Sequence, residues 1–298
     1  MRFRASIAQV QTFFRIIQAI EKQDKKCIIK FTETSMHIIC NPNATEGVQV
    51  WSQVKIDSIF TNYRIQSNAD NQITVLLASE ALLGALKSAA SSSANSSTFD
   101  SDDVVVKLAK KSDQAVLTFE ISGQTRVGHK MRVSHDVKIE VMRPADVEKL
   151  KEPLCPEPDV HILLPPLQKL RTIVERLRPL SDILAFQANN NKRMVLAINT
   201  ESVRVETEWK DCTNPRTNDD ENENDPDREA QDPEALHSVL LSTRSFLKFL
   251  NSHVVSTTTI ACVCQHHCLI LYVYIGDVAD AGGVLTFYIP AIIDDEGR

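Results

Sequence analysis

Glycine is scarce in this chain, with 8 among 298 residues, and no Gly-rich phosphate loop occurs in it. Loops that cradle nucleotide phosphates depend on several glycines for their tight backbone, so a nucleotide site is not expected. Long hydrophobic runs are lacking as well. The longest, Cys268–Ile275, is far shorter than the roughly 20 residues of a membrane span and is rich in β-branched and aromatic residues. It predicts a strand, and no membrane association is expected.

A secretory signal and regular cysteine spacing are also missing. The seven cysteines fall at irregular positions, which predicts reduced thiols in the cytosol or nucleus and no disulfides. Three of them, Cys262, Cys264 and Cys268, flank His266 and His267. The spacing differs from that of zinc sites, because two cysteines share a strand face and no second ligand pair lies nearby. Cysteines packed in a hairpin core are favoured, and a metal-dependent enzyme stays open as an alternative.

Catalytic residues are not predicted elsewhere either. His135, Asp136 and His161 lie in strand patterns, with no serine or cysteine nucleophile in a strained turn. We therefore interpret them as surface or structural residues. No cofactor is expected.

The net charge of −6 is concentrated in one segment. Residues 219–234 contain nine acids and one arginine, so they carry about −8 and the rest of the chain about +2. The folded body is therefore expected not to be acidic.

Two halves of the sequence resemble each other. Apolar and polar positions recur in the same order about half a chain apart, as strand followed by helix. The matches are residues 3–17 with 160–174, residues 75–79 with 239–243, and Trp51 with Trp209. Two similar domains in tandem are therefore predicted, at residues 1–149 and 160–298, joined by a linker at residues 150–159 whose three prolines favour extended backbone.

Periodicity predicts two helices and many short strands in each half. The helices are expected at residues 9–22, from Ser79 onward, at residues 165–178 and at residues 243–254. Residues 88–103 and the acidic residues 211–234 have few apolar anchors and are predicted to be flexible loops. Helices set apart from a mainly antiparallel sheet make the predicted class α+β.

Each predicted helix carries cations on its polar side. One such side would only be a solvated face, but four in equivalent positions of a duplicated fold favour a shared basic surface. Lysine and arginine contact phosphates without reading base sequence, so non-specific duplex binding is predicted. The residues are Arg15, Lys22, Lys87, Lys169, Arg176, Arg244 and Lys248.

A set of short motifs, in order along nearly the whole chain, resembles one family. It resembles the Hus-one subunits of the nine-one-one checkpoint clamp, in a fungal version, within the PCNA-like sliding-clamp fold. The motifs are Met1-Arg2-Phe3-Arg4, Val50-Trp51, Gln66-Ser67-Asn68-Ala69-Asp70-Asn71, His135-Asp136, Lys151-Glu152-Pro153, Pro156-Glu157-Pro158-Asp159, Tyr272-Val273-Tyr274-Ile275 and Phe287-Tyr288-Ile289-Pro290.

The resemblance implies two tandem clamp domains, with helices on the inner side of a ring and antiparallel sheets outside. It implies a non-enzymatic subunit of a heterotrimeric ring, built with two other clamp-like subunits and placed around duplex DNA by an ATP-dependent clamp loader. Such a ring is a nuclear platform for DNA damage checkpoint signalling and repair proteins. A homotrimeric replicative clamp is the alternative within the same fold.

The resemblance also implies roles for individual residues. The seven cations above would face DNA in the channel. Two strands would be the edges that pair with neighbouring subunits, through Val133, His135, Val137, Ile139, Val203, Val205 and Thr207. A partner pocket beneath the linker would be lined by Cys40, Pro42, Leu154, Cys155, Ile289, Pro290 and Ala291. The acidic residues 211–234 are interpreted as a tolerated loop rather than a regulatory tail.

Overall fold

The computed structural model describes residues 1–41, 47–92, 99–125, 129–215, 232–276 and 281–292, and Pro42 of the predicted pocket lies outside them. The chain divides into two compact units. The first comprises Met1–Asn43, Gln49–Glu152 and Tyr274–Leu285, and the second comprises Ala44–Val48, Pro153–Val273 and Thr286–Arg298. The domain limits drawn from the sequence remain a proposal.

The first half of the chain forms nine strands and four helices in the described residues. In chain order they are β1 (Arg2–Ile7), α1 (Val10–Glu21), β2 (Lys26–Phe31), β3 (Ser35–Cys40), β4 (Gln49–Lys55), α2 (Ile56–Ile59), β5 (Phe60–Gln66), β6 (Ile73–Ala78), α3 (Ser79–Ser92), β7 (Phe99–Lys111), β8 (Gln114–Thr125), β9 (Lys130–Val141) and α4 (Pro144–Val147).

The second half repeats this order with fewer short elements. They are β10 (Val160–Leu163), α5 (Leu167–Leu177), β11 (Ile183–Ala188), β12 (Met194–Asn199), β13 (Arg204–Trp209), β14 (His237–Ser242), α6 (Thr243–Leu250) with a 3-10 turn at Asn251–Val254, β15 (Thr258–Cys264), β16 (Cys268–Ile275) and β17 (Gly283–Pro290). No helix of the described residues is long and apolar enough to cross a membrane.

The strand pairings of the two units follow one plan. In the first, β4-β3-β2-β6 and β9-β8-β7-β1-β5 are antiparallel neighbours, and β6 joins β9 in the register Val75 with Val141. In the second, the orders are β13-β12-β11-β14 and β10-β15-β16-β17. The predicted duplication therefore reaches the level of hydrogen-bonded topology, and the α+β class is confirmed.

Each unit buries the apolar stripe of its two main helices. On α1 the stripe is Phe13, Ile16, Ile17 and Ile20, all nearly inaccessible, with the Phe13 and Phe60 ring centroids 5.6 Å apart. In the second unit the ring of Phe246 lies 6.0 Å from that of Phe186 and 5.7 Å from that of Phe249. Burial of each such ring stabilises the fold by about 1.5–3 kcal/mol.

The predicted loop at residues 88–103 is wrong over most of its length. Helix α3 continues to Ser92, because Ala85, Leu86, Ala89 and Ala90 are buried against the rest of the unit, and β7 begins at Phe99. Alanine has the highest helix propensity, so a Ser/Ala-rich segment extends a helix once one face is covered. Residues 93–98 and most of the acidic loop, residues 216–231, lie outside the described part of the chain.

Candidate nucleic-acid interface

The two main helices of each unit pack against each other, α1 with α3 and α5 with α6. In the first pair the Gln11 Nε2 donates a hydrogen bond to the Ala90 carbonyl at 2.8 Å. Their buried stripes face the unit interior, so their polar faces remain at the surface. Helix α6 begins with Ser242 as N-cap, whose hydroxyl accepts from the Ser245 amide.

The cations predicted for the first pair of helices are all exposed. Arg15 lies on the polar face of α1, four residues from exposed Gln11, and Lys87 lies on that of α3. Lys22 follows the last residue of α1 and forms an ion pair with Glu21 at 2.8 Å. Arg15 and Lys87 form no ion pair with a described residue, so their charges are available to a ligand.

The second pair of helices has the same character. Lys169 and Arg176 are exposed on α5, and Arg244 and Lys248 are exposed on α6. Arg171 differs, because its Nε lies 2.8 Å from the Glu175 carboxylate one turn later. The structure thus brings the predicted cations to the polar faces of two helices in each unit, as a pattern that suits phosphate contacts without base reading.

Strand β13 is a sheet edge. It pairs with β12 on one side, in the register Val205 with Ile198 and Thr207 with Leu196, and no described strand lies on its other side. Val203 precedes the strand. Such an edge presents unpaired amide and carbonyl groups that can pair with another chain.

Strand β9 has a free side only over part of its length. Residues 130–138 pair with β8, and from Ile139 onward the other side pairs with β6. Val133 and His135 are half-buried, whereas Val137 and Ile139 are 2% and 3% exposed. The Val137 and Ile139 side chains therefore belong to the core of the first unit, and the role of this strand as an edge for a neighbouring subunit stays a prediction.

The residues predicted for the partner pocket differ widely in exposure. Leu154 is 97% exposed and Cys155 is half-buried, whereas Cys40 and Ile289 are 1% and 0% exposed. The side chains of Cys40 and Ile289 are therefore core residues rather than accessible walls. Pro290 and Ala291 are half-buried. The pocket as a peptide site remains a proposal.

The Cys/His hairpin lies where the sequence predicts, with both histidines exposed in its turn. The thiols of Cys155 and Cys264 hydrogen-bond with that of Cys268, and burial raises the pKa of Cys262 to about 12. The hydrogen bond with Cys268 lowers the pKa of Cys264. Among the described residues, no group of three or more His, Cys, Asp or Glu side chains is placed to hold a metal ion.

Sequence reasoning missed a groove along β1 and β5. Arg2 and Arg4 alternate with buried Phe3 and Ala5, so both side chains leave one face of β1, and Arg64 stands opposite Arg4 on β5. The alternation on β1 was visible in the sequence. The position of Arg64 was not, since it depends on the register of β5.

Comparison with known proteins agrees with the fold. The family model described as Hus1-like protein matches residues 1–293. The chain is 33% identical to Checkpoint protein hus1 of Schizosaccharomyces pombe, over 99% of this chain and 100% of that protein. It is 28% identical to Checkpoint protein HUS1 of Homo sapiens, over 98% of this chain and 100% of that one.

A solved structure gives the architecture. The Proliferating Cellular Nuclear Antigen of Entamoeba histolytica superposes with a TM-score of 0.68 over 98% of this chain and 99% of that one, at 13% identity. At that identity the likeness shows the PCNA-like clamp fold alone. The family model, by contrast, matches nearly the whole chain, so the chain belongs to the Hus1-like protein family.

Proposed function

We propose that this protein is a non-enzymatic subunit of the heterotrimeric nine-one-one checkpoint clamp. The observation that carries the proposal is membership of the Hus1-like family along residues 1–293, on a duplicated PCNA-like fold. In this role the chain encircles DNA together with two other clamp-like subunits. It serves as a nuclear platform for checkpoint signalling and repair proteins, and an ATP-dependent clamp loader places it on DNA.

The basic helices would contact the duplex. Seven exposed cations lie on or next to α1, α3, α5 and α6, and lysine and arginine bind backbone phosphates electrostatically whatever the base sequence. Contacts of that kind permit sliding along DNA, which a clamp requires.

The two unlike strand edges would join the neighbouring subunits. Strand β13 offers a complete outer side, and β9 offers residues 130–138. Because the two edges differ in length and side chains, one type of neighbour on each side is expected, and this favours a ring of different subunits.

The DNA contact can be tested by charge reversal in the assembled ring. Changing Lys169, Arg176 and Arg244 to glutamate should shorten retention on a closed circular duplex and flatten its salt dependence, by about 0.9 in log–log slope for each lost phosphate contact. The matched control reverses Lys26, Lys110 and Lys149, three exposed cations outside the main helices. Equal losses from both triple variants would refute the helix assignment.

Assembly can be tested by mass. The chain alone is 33.4 kDa. Purified without partners, it should not form a trimer of three times that mass, whereas co-expression with two clamp-like partners should give a one-to-one-to-one complex. A stable trimer of the chain alone would favour a homotrimeric replicative clamp instead.

A further inference from the structure

The groove along β1 and β5 brings together three arginines whose charges are not paired within the described residues. It is an open groove of about 730 Å³ in the first unit, lined by Arg2, Arg4 and Arg64 together with Glu33 and Tyr63. All three arginines are exposed, and none forms an ion pair or a side-chain hydrogen bond with a described residue. A guanidinium group is a planar cation whose N–H donors form a rigid fork.

The arrangement of these arginines is electrostatically unfavourable in the isolated chain. Arg4 and Arg64 stand directly opposite each other on antiparallel strands, where like charges destabilise a sheet. On the other side of β1, Arg4 stands opposite Lys107, but Lys107 is paired with Glu120 at 2.6 Å. The acid among the residues that line the groove, Glu33, accepts a hydrogen bond from Asn71 at 2.7 Å. An anion between Arg4 and Arg64 would relieve the repulsion.

The second unit shows that the scaffold does not need these charges. The sequence repeat aligns Arg2 and Arg4 with Asp159 and His161. Asp159 serves its own fold, because its carboxylate accepts the Gln265 amide at 2.7 Å. The outer side of β10 is also occupied, since the Leu163 amide donates to the Thr213 carbonyl at 2.8 Å. The arginine pair is therefore a feature of one copy.

The shape of the groove favours an extended chain. Strand β5 ends its sheet, so no described strand covers its outer side. Asn62, with φ 49°, lies at a register shift that limits the straight part of this edge to residues 63–66. The Tyr63 hydroxyl donates to the Thr32 carbonyl at 2.7 Å and so fixes the ring in the groove wall. A short extended peptide can thus place backbone against the edge and side chains against Tyr63.

We propose that this groove is a docking site for a phosphorylated segment of a partner protein, with the phosphate held between Arg4 and Arg64. Two opposed guanidinium forks match the oxygens of a single phosphate. A nucleic-acid strand fits less well, because it needs cations spaced along its backbone, whereas here they are clustered and the lining includes the acid Glu33. Arg2 adds attraction for acidic residues beside the phosphate.

The test measures peptide binding to the full chain. A fluorescein-labelled octapeptide with one phosphoserine between aspartate and valine is titrated by anisotropy, beside its unphosphorylated form and a single-stranded oligonucleotide. We expect the phosphopeptide to bind at least about tenfold more tightly than the unphosphorylated peptide. R4Q/R64Q should remove that preference, and R64K should reduce it because lysine lacks the fork.

A matched control separates this site from the basic helices. K169Q/R176Q removes two exposed cations from α5 and should leave phosphopeptide binding unchanged, so the result is independent of the clamp proposal. Thermal melting of R4Q/R64Q should show no loss of stability, since the change removes a repulsion. Equal binding of the two peptides, equal loss in the helix variant, or tighter oligonucleotide binding that R4Q/R64Q abolishes would each overturn the proposal.

Discussion

The two units share a strand order but differ along their first strands. In the first, β5 covers the outer side of β1 as a full strand, with Arg4 opposite Arg64. In the second, the chain around Thr213 and Asn214 takes that place, and the Asn214 side chain donates to the His161 carbonyl at 2.7 Å. The main helices differ as well: α3 has 14 residues, whereas α6 has 8 before its 3-10 turn.

This difference distinguishes the positions that the fold requires from the positions that vary between the two copies. Buried positions of the repeat keep their apolar character, as Leu82 on α3 and Phe246 on α6 illustrate. Positions outside the core differ in charge between the copies, as exposed Arg4 and half-buried His161 illustrate. The core therefore defines the clamp domain, and the two copies differ at their edges and strand faces.

The largest expected effect comes from equivalent core positions. Phe246→Ala should destabilise the second unit by about 3–5 kcal/mol and Leu82→Ala the first by about 2–5 kcal/mol, because both leave cavities. Each unit contains one of the two tryptophans, Trp51 and Trp209. Chemical unfolding followed in Trp209→Phe and Trp51→Phe backgrounds should report each loss in its own unit. Equal shifts at both reporters would mean that the two units unfold as one.

A smaller effect should appear at alkaline pH. Burial raises the pKa of Cys27, on β2, to about 11 from 9.0. The folded state keeps this thiol protonated while the unfolded thiol ionises, so stability is complete below pH 9 and falls toward pH 11, by up to about 2–3 kcal/mol.

Cys27→Ala should flatten this dependence for the first unit only. The unfolding free energy is measured in reductant at about pH 8 and about pH 10.5, with Trp51 as reporter. Cys262→Ala, in the second unit, is the matched control and should leave the Trp51 transition as sensitive to alkali as before. An unchanged slope in Cys27→Ala would contradict the role of this thiol.

The smallest effect concerns two glycines, one at the start of β17 and one within α3. A Cβ on Gly283 would lie 2.8 Å from the Gln53 carbonyl oxygen and 2.9 Å from the Val54 Cα, so Gly283→Ala should cost about 1–3 kcal/mol. A Cβ on Gly84, within α3, would meet nothing within 4 Å, and Gly84→Ala should gain up to about 1 kcal/mol of helix propensity. Thermal melting of both variants tests this, and the same sign for both would contradict it.

Sequence reasoning succeeded where burial and periodicity coincide. Strand β16 has the predicted bounds, and α1 and α5 lie within a residue or two of theirs, because their apolar residues recur at the period of the element. It failed where a strand has little burial. Strand β5, with Phe60 as its only fully buried residue, was not predicted, since its pairing with β1 is decided by contacts distant in sequence.

The candidate sites divide in the same way. The cations of the helices could be predicted, because a polar helix face follows from the apolar one. The buried state of Val137 and Ile139, and the position of Arg64 opposite Arg4, could not be. They depend on which strands become neighbours, and no local pattern in the sequence encodes that.

In the proposed ring, the uncovered outer side of β13 would make the stability of this protein depend on the supply of its neighbours. A lone chain leaves six residues of backbone available to the wrong strand. Glu206 and Glu208 lie on this strand and form ion pairs with Arg204 and Arg193, respectively. Charged side chains on an edge strand discourage pairing between copies of the chain. Cells that make the subunit in excess would have to shelter or degrade it, so its abundance is expected to follow that of the scarcest ring member.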